Sequence, residues 1–427
     1  MKPSRQTNSF LSWLRGYGVT PSWLSWAIGA VVVLSMVRRF YTSQGFRQYV
    51  MENWCIGELL INFQGGFVRR GLFGQMVYQL NQLWGISPQT VLFAMSILAY
   101  ASLCAFFLYK SRRNGVSWWL TFNPCVLGAI AFNFLRKDYL LCCLFIVILY
   151  ILHRCRPTLW RNFCVTLLVI LCLFLHEAFI FWGGAVAILF FIADKPHRWP
   201  NMVLAAVMLG VFAVLSRYKG DLQVATAIYN SWLGIVPGNG NPESCGSIMS
   251  LATGTGEMIG IALRVNFVSG SMGFFSFVGR FIEWFLTYYL LITFPFMFKS
   301  PDSTLGAYDR TNLSAVFLFV AICCLPLSSL LFVDWGRIVQ YFFISSLAVI
   351  FVIPRARVRA LFPQRVISGI EWLNCKILSW LCPTRVLVMI IFLFFSIPTV
   401  GYSVDAEFRG SIVGCLMTML EVVREYI

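Results

Sequence analysis

Residues 162–193 contain two apolar runs, NFCVTLLVILCLFL and AFIFWGGAVAILFFIA, which are separated only by His176 and Glu177. Each run approaches the ~20 residues that a helix needs to cross a bilayer. A carboxylate beside an imidazole between such runs is costly unless it is paired or lies in a wet cavity. The stretch therefore predicts two membrane helices that meet at a polar point.

Similar apolar runs recur along the whole chain. The pattern predicts spans at about 22–37, 90–108, 117–135, 139–153, 162–175, 178–193, 200–216, 274–298, 312–333, 338–353 and 386–402. A further segment, 366–382, either crosses the membrane or lies in its interface. We therefore predict an all-α fold, a polytopic transmembrane helical bundle of about eleven spans, within a range of roughly ten to twelve.

The composition excludes a water-soluble protein. Hydrophobic residues make up 59% of the chain, charged residues make up 12%, and the mean hydropathy is +0.76. A soluble domain carries roughly 25% charged residues. About half that fraction of charged residues is too little to form a water-facing surface. With no internal repeat or low-complexity tract, residues 1–427 are predicted to form a single integral membrane domain.

The loops set the orientation, because cytoplasmic loops of membrane proteins carry an excess of Lys and Arg. A cytoplasmic N-terminus also places in the cytoplasm the basic loops at 110–113, 154–161, 195–198, 299–310 and 355–365. The two long loops, at about 38–89 and 217–273, then lie on the outer side. The second loop holds a Gly/Pro-rich turn, GIVPGNGNPESCG (234–246), which predicts ordered loops or short interfacial helices.

The formal net charge of +16 is attributed mainly to this cytoplasmic bias, and no aromatic-interleaved basic patch predicts a nucleic-acid partner. Most of the 14 cysteines lie inside apolar runs, where cysteine behaves as a small hydrophobic residue. No Cys or His spacing predicts a metal site. Cys55 and Cys245 both fall in predicted outer loops, so a disulfide between them is an open alternative.

Four polar motifs fall on the predicted outer side: GGFVRRG (65–71), RKD (136–138), His176–Glu177 and DWGR (334–337). Each has a structural reading, because arginines anchor interfacial helices and charged hairpins mark membrane boundaries. Together they form a cationic bowl, since arginine forks match phosphate oxygens and adjacent glycines let the backbone approach a ligand. The predicted substrate-binding residues are Arg69, Arg70, Arg136, Lys137 and Arg337, and the predicted catalytic acid/base residues are Glu177, Asp138, His176 and Asp334.

The long first outer loop, the acidic residue Asp138 that opens the fourth span, and the outer arginines resemble the GT-C-type glycosyltransferases. The same features resemble the Wzy-type O-antigen polymerases. Both resemblances imply a multi-pass enzyme of the bacterial inner membrane that uses undecaprenyl phosphate-linked sugars on the periplasmic side. GT-C enzymes carry an acidic pair soon after the first span, whereas this chain has the separate residues Glu52 and Glu58.

We therefore predict a glycosyltransferase or polymerase of surface polysaccharide assembly (O-antigen of lipopolysaccharide, capsule or exopolysaccharide) that takes a polyprenyl-linked glycan as substrate. The alternatives are a flippase or transporter of lipid-linked oligosaccharides, a membrane acyltransferase of surface glycans, and a non-catalytic assembly subunit. No cofactor or metal is predicted, although a carboxylate-bound divalent cation stays an open alternative. Besides the lipid bilayer, other polysaccharide assembly proteins are open partners.

Overall fold

The computed structural model describes residues 48–113, 135–254 and 335–361, together with shorter pieces elsewhere. This part of the chain is helical and contains no β-strand, which confirms the all-α prediction for the described residues. The predicted spans at 117–135, 274–298, 312–333 and 386–402, and most of the span at 22–37, lie outside these residues.

Eleven α-helices are described within these three segments. In chain order they are α1 (Trp54–Leu60), α2 (Gly71–Trp84), α3 (Pro88–Arg113), α4 (Lys137–Arg154), α5 (Leu159–Leu175), α6 (Gly183–Ala193), α7 (Arg198–Arg217), α8 (Leu222–Asn230), α9 (Gly246–Met249), α10 (Trp335–Val352) and α11 (Arg355–Arg359).

Two helical segments among the described residues are long and apolar enough to cross a membrane: Pro88–Arg113, and Lys195–Arg217, which joins a 3₁₀ turn to α7. Leu159–Leu175 and Glu177–Ala193 are apolar but shorter. Several apolar side chains on α3, α5 and α7 are exposed, among them Leu98, Leu167 and Val203. These observations agree with membrane association, while the count of about eleven spans stays a prediction.

The long helices align so that their ends gather in two groups. Helices α3 and α4 run parallel, since Tyr100 faces Tyr139 with ring centroids 6.5 Å apart and Phe106 faces Tyr150 at 6.2 Å. Helices α5, α6 and α7 follow as antiparallel neighbours. One group of ends, here called the loop end, contains residues 137, 176 and 218; the other, the basic end, contains residues 110, 154, 161, 195 and 357.

The two long loops pack against each other at the loop end. The amide of Met51 donates to the carbonyl of Pro237 at 2.9 Å, and the indole of Trp232 donates to the carbonyl of Leu60 at 2.8 Å. The side chain of Asn62 donates to the Ser231 hydroxyl at 2.9 Å. Residues 48–70 and 218–254 therefore form one ordered layer that contains short helices, as predicted for the second loop.

The predicted span at 178–193 is helical in two parts, because a 3₁₀ turn, Glu177–Phe181, precedes the 11-residue helix α6. His176 starts this turn, since its Nδ1 accepts from the amide of Ala178 at 3.2 Å. A Cβ at Gly183 would collide with the ring of Phe179, so glycine is needed where the turn joins α6. At 1.5 Å per residue, α6 extends only about 17 Å, about half the hydrocarbon thickness.

A buried polar group joins helices at the basic end; we call it the amide cluster (Arg161, Asn162, Asp194 and Asn201). Arg161 Nε donates to Asn162 Oδ1 at 2.8 Å and its Nη2 lies 3.6 Å from Asp194 Oδ2. Asn162 Nδ2 donates to Asn201 Oδ1 at 2.7 Å and to Asp194 Oδ2 at 3.2 Å. The cluster therefore connects α5 and α7 with the residue that follows α6.

Cys55 and Cys245 are both buried and both carry free thiols. The thiol of Cys245 instead donates to the carbonyl of Met51 at 3.0 Å. The alternative of a disulfide between these cysteines is therefore not realised in the structure, and hydrogen bonds connect the two loops instead.

Candidate functional site

The two adjacent arginines of the GGFVRRG motif occupy a tight turn before α2. Arg70 has φ 65° and ψ 1°, the left-handed conformation, and it is the single non-glycine residue with positive φ in the part of the chain that the structure describes. A Cβ at Gly71 would collide with the ring of Phe63, so the chain can turn here only with glycine at this position. The amide of Arg69 donates to the carbonyl of Tyr218 at 2.7 Å, which connects the turn to the end of α7.

The side chains of both arginines converge on Glu177. Arg70 Nε lies 3.0 Å from Glu177 Oε1 and 2.9 Å from Oε2, and its Nη2 also contacts Oε1. Arg69 Nη1 lies 3.4 Å from the same Oε1. One carboxylate from the start of the 3₁₀ turn thus contacts two guanidinium groups from a loop more than a hundred residues earlier in the chain.

Glu58, on α1, completes the group, which we call the arginine cluster (Glu58, Arg69, Arg70, His176 and Glu177). Glu58 Oε1 lies 3.7 Å from Arg70 Nη1 and 3.5 Å from His176 Nε2. Because His176 Nδ1 accepts from the amide of Ala178, the ring carries its proton on Nε2 when neutral and directs it toward Glu58. His176 therefore caps the 3₁₀ turn and lies beside Glu58.

The RKD motif lies beside this cluster at the start of α4. Lys137 Nζ donates to the carbonyl oxygen of Arg70 at 3.3 Å, and Arg136 Nη1 lies 3.9 Å from Asp138 Oδ2. Lys137 is only 2% exposed, and Asp138 is also buried. The side chains of Lys137 and Asp138 are therefore directed inward, toward the RR turn and their own helix.

Burial and charge act on Glu177 in opposite directions. Burial raises the pKa of the Glu177 carboxyl, but Arg70, His176 and Arg69 together outweigh it, so the pKa is held well below its usual value. Burial lowers the pKa of the Arg69 guanidinium, and the adjacent Arg70 lowers it further, while Glu177 opposes this. Glu177 is therefore a carboxylate at neutral pH that serves as the shared counter-charge of the arginines.

The arginines remain partly accessible. The side chain of Arg69 is 15% exposed and that of Arg70 is 20% exposed. The Nε of Arg69 is buried and has no hydrogen-bond partner among the residues that the structure describes. A guanidinium offers five N–H donors, and at least one of those of Arg69, the buried Nε–H, is not used by the described residues.

The structure thus brings together five of the nine predicted site residues, Arg69, Arg70, Lys137, His176 and Glu177, and places the pair Arg136–Asp138 next to them. Asp334 lies outside the described residues. Arg337 lies in the first turn of α10, and its side chain is outside the described part. Stacking of Trp182 on Tyr341, with ring centroids 4.8 Å apart, places the start of α10 toward the loop end.

Glu58 was predicted to lie in the first outer loop, but its contacts with Arg70 and His176 were not predicted. Its isolation within the apolar stretch CIGELLI was the signal that could have identified it. Glu52 has a different position, because its Oε1 accepts from the amide of Asn239 at 2.8 Å and from the Tyr229 hydroxyl at 3.1 Å. It holds the Gly/Pro-rich turn of the second loop.

Within the described residues, no group of three His, Cys, Asp or Glu side chains is arranged to hold a metal ion. The two carboxylates of the arginine cluster pair with its two guanidinium groups. Comparisons with protein-family models, with curated proteins and with solved structures find no match for this chain.

Proposed function

We propose that this protein is an inner-membrane glycosyltransferase or repeat-unit polymerase of bacterial surface polysaccharide assembly. It takes a sugar or oligosaccharide from a polyprenyl phosphate or diphosphate carrier and transfers it to an acceptor hydroxyl at the periplasmic face. The observation that supports the proposal is the convergence of Arg69 and Arg70 on Glu177, with the Nε donor of Arg69 left without a partner among the described residues.

Phosphate recognition is supported by the chemistry of this convergence. Guanidinium forks bind phosphate oxygens two at a time, and they act most strongly where water is restricted. Phe67 and Tyr218 are exposed beside the RR turn, with ring centroids 5.1 Å apart. Aromatic residues of this kind favour the membrane–water interface, which is where the phosphate of a lipid carrier lies.

The proposed transfer is a displacement at the anomeric carbon of the donor sugar. The oxygen of the acceptor hydroxyl forms a bond to this carbon, and the bond from the carbon to the carrier's phosphate oxygen breaks. The hydroxyl proton passes to a carboxylate of the protein, and the lipid phosphate departs with the bonding electron pair. Arg69 and Arg70 stabilise the charge that develops on this leaving group.

Asp138 is the preferred base in this proposal. Glu177 was the first candidate, but its carboxylate holds two guanidinium groups and its pKa is depressed, so it accepts a proton poorly. Asp138 lies at the start of α4, and its Oδ2 is 3.9 Å from Arg136 Nη1. We assign Glu177 to holding the arginines and Asp138 to the proton transfer.

The proposed topology has about eleven spans with a cytoplasmic N-terminus, so that the loop end faces the periplasm. Single cysteines at exposed positions of a cysteine-free protein can be labelled in intact cells with a membrane-impermeant maleimide. Cysteines replacing Asn230 or Gln64 should react from outside, and those replacing Trp160 or Arg156 should not. Labelling of both groups from the same side would contradict the topology.

The enzyme assignment is tested with purified protein and a synthetic polyprenyl diphosphate-linked sugar or repeat unit, with product followed by mass spectrometry. Arg69→Ala should abolish product formation, whereas Arg217→Ala should not. Arg217 is the matched control because it is an exposed arginine at the same end, one residue before the carbonyl that holds Arg69. Equal activity of the two variants would remove the proposal.

The same preparation separates the rival functions. A flippase would move a fluorescent lipid-linked sugar across the vesicle bilayer and form no glycosidic bond. An acyltransferase would modify the glycan with an acyl group and leave the phosphate linkage of the donor intact. Either result in place of glycan transfer would replace the glycosyltransferase assignment.

A further inference from the structure

The backbone of Arg70 adopts a conformation that a non-glycine residue rarely takes. With φ 65° and ψ 1°, its Cβ is crowded against the backbone, which costs about 1–2 kcal/mol. The turn lies at the centre of the proposed phosphate site, where strained backbone is found most often. Something in the surrounding structure must therefore hold this turn.

Two contacts act on the turn from either side. The amide of Arg69 is fixed to the carbonyl of Tyr218 at 2.7 Å, before the strained residue. After it, the carbonyl of Arg70 accepts from Lys137 Nζ at 3.3 Å. If the turn leaves the left-handed conformation, the carbonyl oxygen of Arg70 points in a different direction. The hydrogen bond from Lys137 therefore opposes this change of the backbone.

Lys137 is poorly placed to bind a ligand itself. Its side chain is only 2% exposed, whereas those of Arg69 and Arg70 are 15% and 20% exposed. A buried ammonium is costly in free energy unless it is hydrogen-bonded, and the Arg70 carbonyl accepts a hydrogen bond from this one. This differs from the substrate contact that its position in the RKD motif had predicted.

We propose that Lys137 is a positioning residue: its ammonium holds the Arg70 carbonyl, which keeps the turn left-handed and directs both arginines toward Glu177. The inference rests on the proposed function only where it says what the arginines bind. The geometric statement, that Lys137 orders the turn at 69–71, stands on the contacts alone.

The geometric statement is tested by trypsin, which cleaves after arginine. In detergent-solubilised protein, Lys137→Met should speed cleavage of the bond between Arg70 and Gly71, because the turn loses the contact that orders it. Cleavage after Arg154, an exposed site at the basic end, is the internal control and should keep its rate. An unchanged rate at 70–71 would overturn the inference. If Lys137→Met does not accumulate, Lys137→Gln serves, with the same expected direction.

The positioning role is tested by binding of undecaprenyl phosphate in detergent, with residue 70 as either alanine or glycine. Alanine keeps the strain of the left-handed turn, whereas glycine adopts this turn without strain, and both remove the Arg70 side chain. Lys137→Met should weaken binding through Arg69 by about tenfold in the Arg70→Ala protein, and much less in the Arg70→Gly protein.

The outcomes separate the two proposals. An equal loss of affinity in the alanine and glycine backgrounds means that Lys137 contacts the phosphate directly, and it overturns the positioning role. If the wild-type protein does not bind the lipid phosphate, the proposed function fails. The rate of trypsin cleavage at 70–71 then decides the inference about Lys137 by itself.

Discussion

The molecule has two buried polar clusters, one at each end of its long helices, and they differ in how fully their charges are satisfied. In the amide cluster, Arg161 and Asp194 are each 5% exposed and are joined through asparagine side chains. In the arginine cluster, Arg70 and Glu177 form a closer ion pair, yet the arginine side chains are three to four times more exposed.

The difference also concerns unused donors. None of the four residues of the amide cluster has a buried side-chain nitrogen or oxygen without a hydrogen-bond partner in the described part of the chain, whereas Arg69 Nε does. A satisfied buried network rigidifies a core, but a buried donor without a partner destabilises the folded state. This contrast agrees with a stabilising role for the amide cluster and supports the proposal that the arginine cluster binds a ligand.

Removing one arginine from each cluster tests whether the two clusters have different roles, and it should give the largest effect. Arg70→Ala should lower transfer by at least about a hundredfold, because it removes charge stabilisation of the leaving phosphate. Arg161→Ala should leave turnover per folded molecule close to wild type and reduce the amount of folded protein. Both are measured by product formation normalised to monodisperse protein in gel filtration. A large loss of turnover in Arg161→Ala would contradict the division.

A second variant tests how much the amide cluster contributes to the stability of the fold. Asn162→Leu should lower the free energy of unfolding by roughly 3 kcal/mol, because it leaves Arg161 and Asn201 buried without their shared partner. Asn230→Leu is the control, since Asn230 is exposed, and it should change stability by less than about 0.5 kcal/mol. Thermal unfolding in detergent measures both. Equal midpoints would show that the amide cluster contributes little.

A third pair of variants separates holding the arginines from proton transfer. Glu177→Gln should weaken undecaprenyl phosphate binding by about tenfold, because Arg69 and Arg70 lose their shared counter-charge and repel each other. Asp138→Asn should bind the lipid normally and stop transfer. Tighter binding by Glu177→Gln would mean that Glu177 competes with phosphate; normal transfer by Asp138→Asn would place the base elsewhere, at Glu52, Glu58 or Asp334.

The smallest expected effect is on the acid side of the stability profile. The depressed pKa of Glu177 contributes stability that is fully present above its ordinary value of 4.5 and is lost as the pH falls toward the pKa in the folded protein. Below pH 4.5, the unfolding midpoint should therefore fall more steeply in the wild type than in Glu177→Gln. If the unfolding midpoints of the two proteins fall equally with pH, the ion pair contributes less to stability than its geometry indicates.

Local pattern allowed much of the helical framework to be predicted. The runs at 139–153, 162–175 and 200–216 each fall inside a described helix, because an apolar stretch bounded by charges specifies where a membrane helix begins and ends. The run at 178–193 did not form one helix. A histidine side chain can cap a 3₁₀ turn, and Gly183 leaves room for a phenylalanine ring, and neither contact is visible in hydropathy.

The candidate site was predictable in its residue types and only partly in its geometry. The arginines, His176 and Glu177 were assigned to one end from loop charges alone, and the structure places them in contact. The left-handed turn at Arg70 and the contact from Lys137 to its carbonyl were not predicted. The amide cluster was also missed, although asparagines at 162 and 201 at the ends of apolar runs are an unusual feature.

The sequence by itself determined that the described chain is helical, apolar and polarised in charge, because these properties depend on neighbouring residues and on the balance of composition. Only the tertiary structure decided which charges meet. Glu58, Arg70, Lys137 and Glu177 lie on four separate segments, and which of them pair depends on helix order and on the packing of the two loops. Ion pairing acts over a few ångströms in space, so distance along the chain carries almost no information about it.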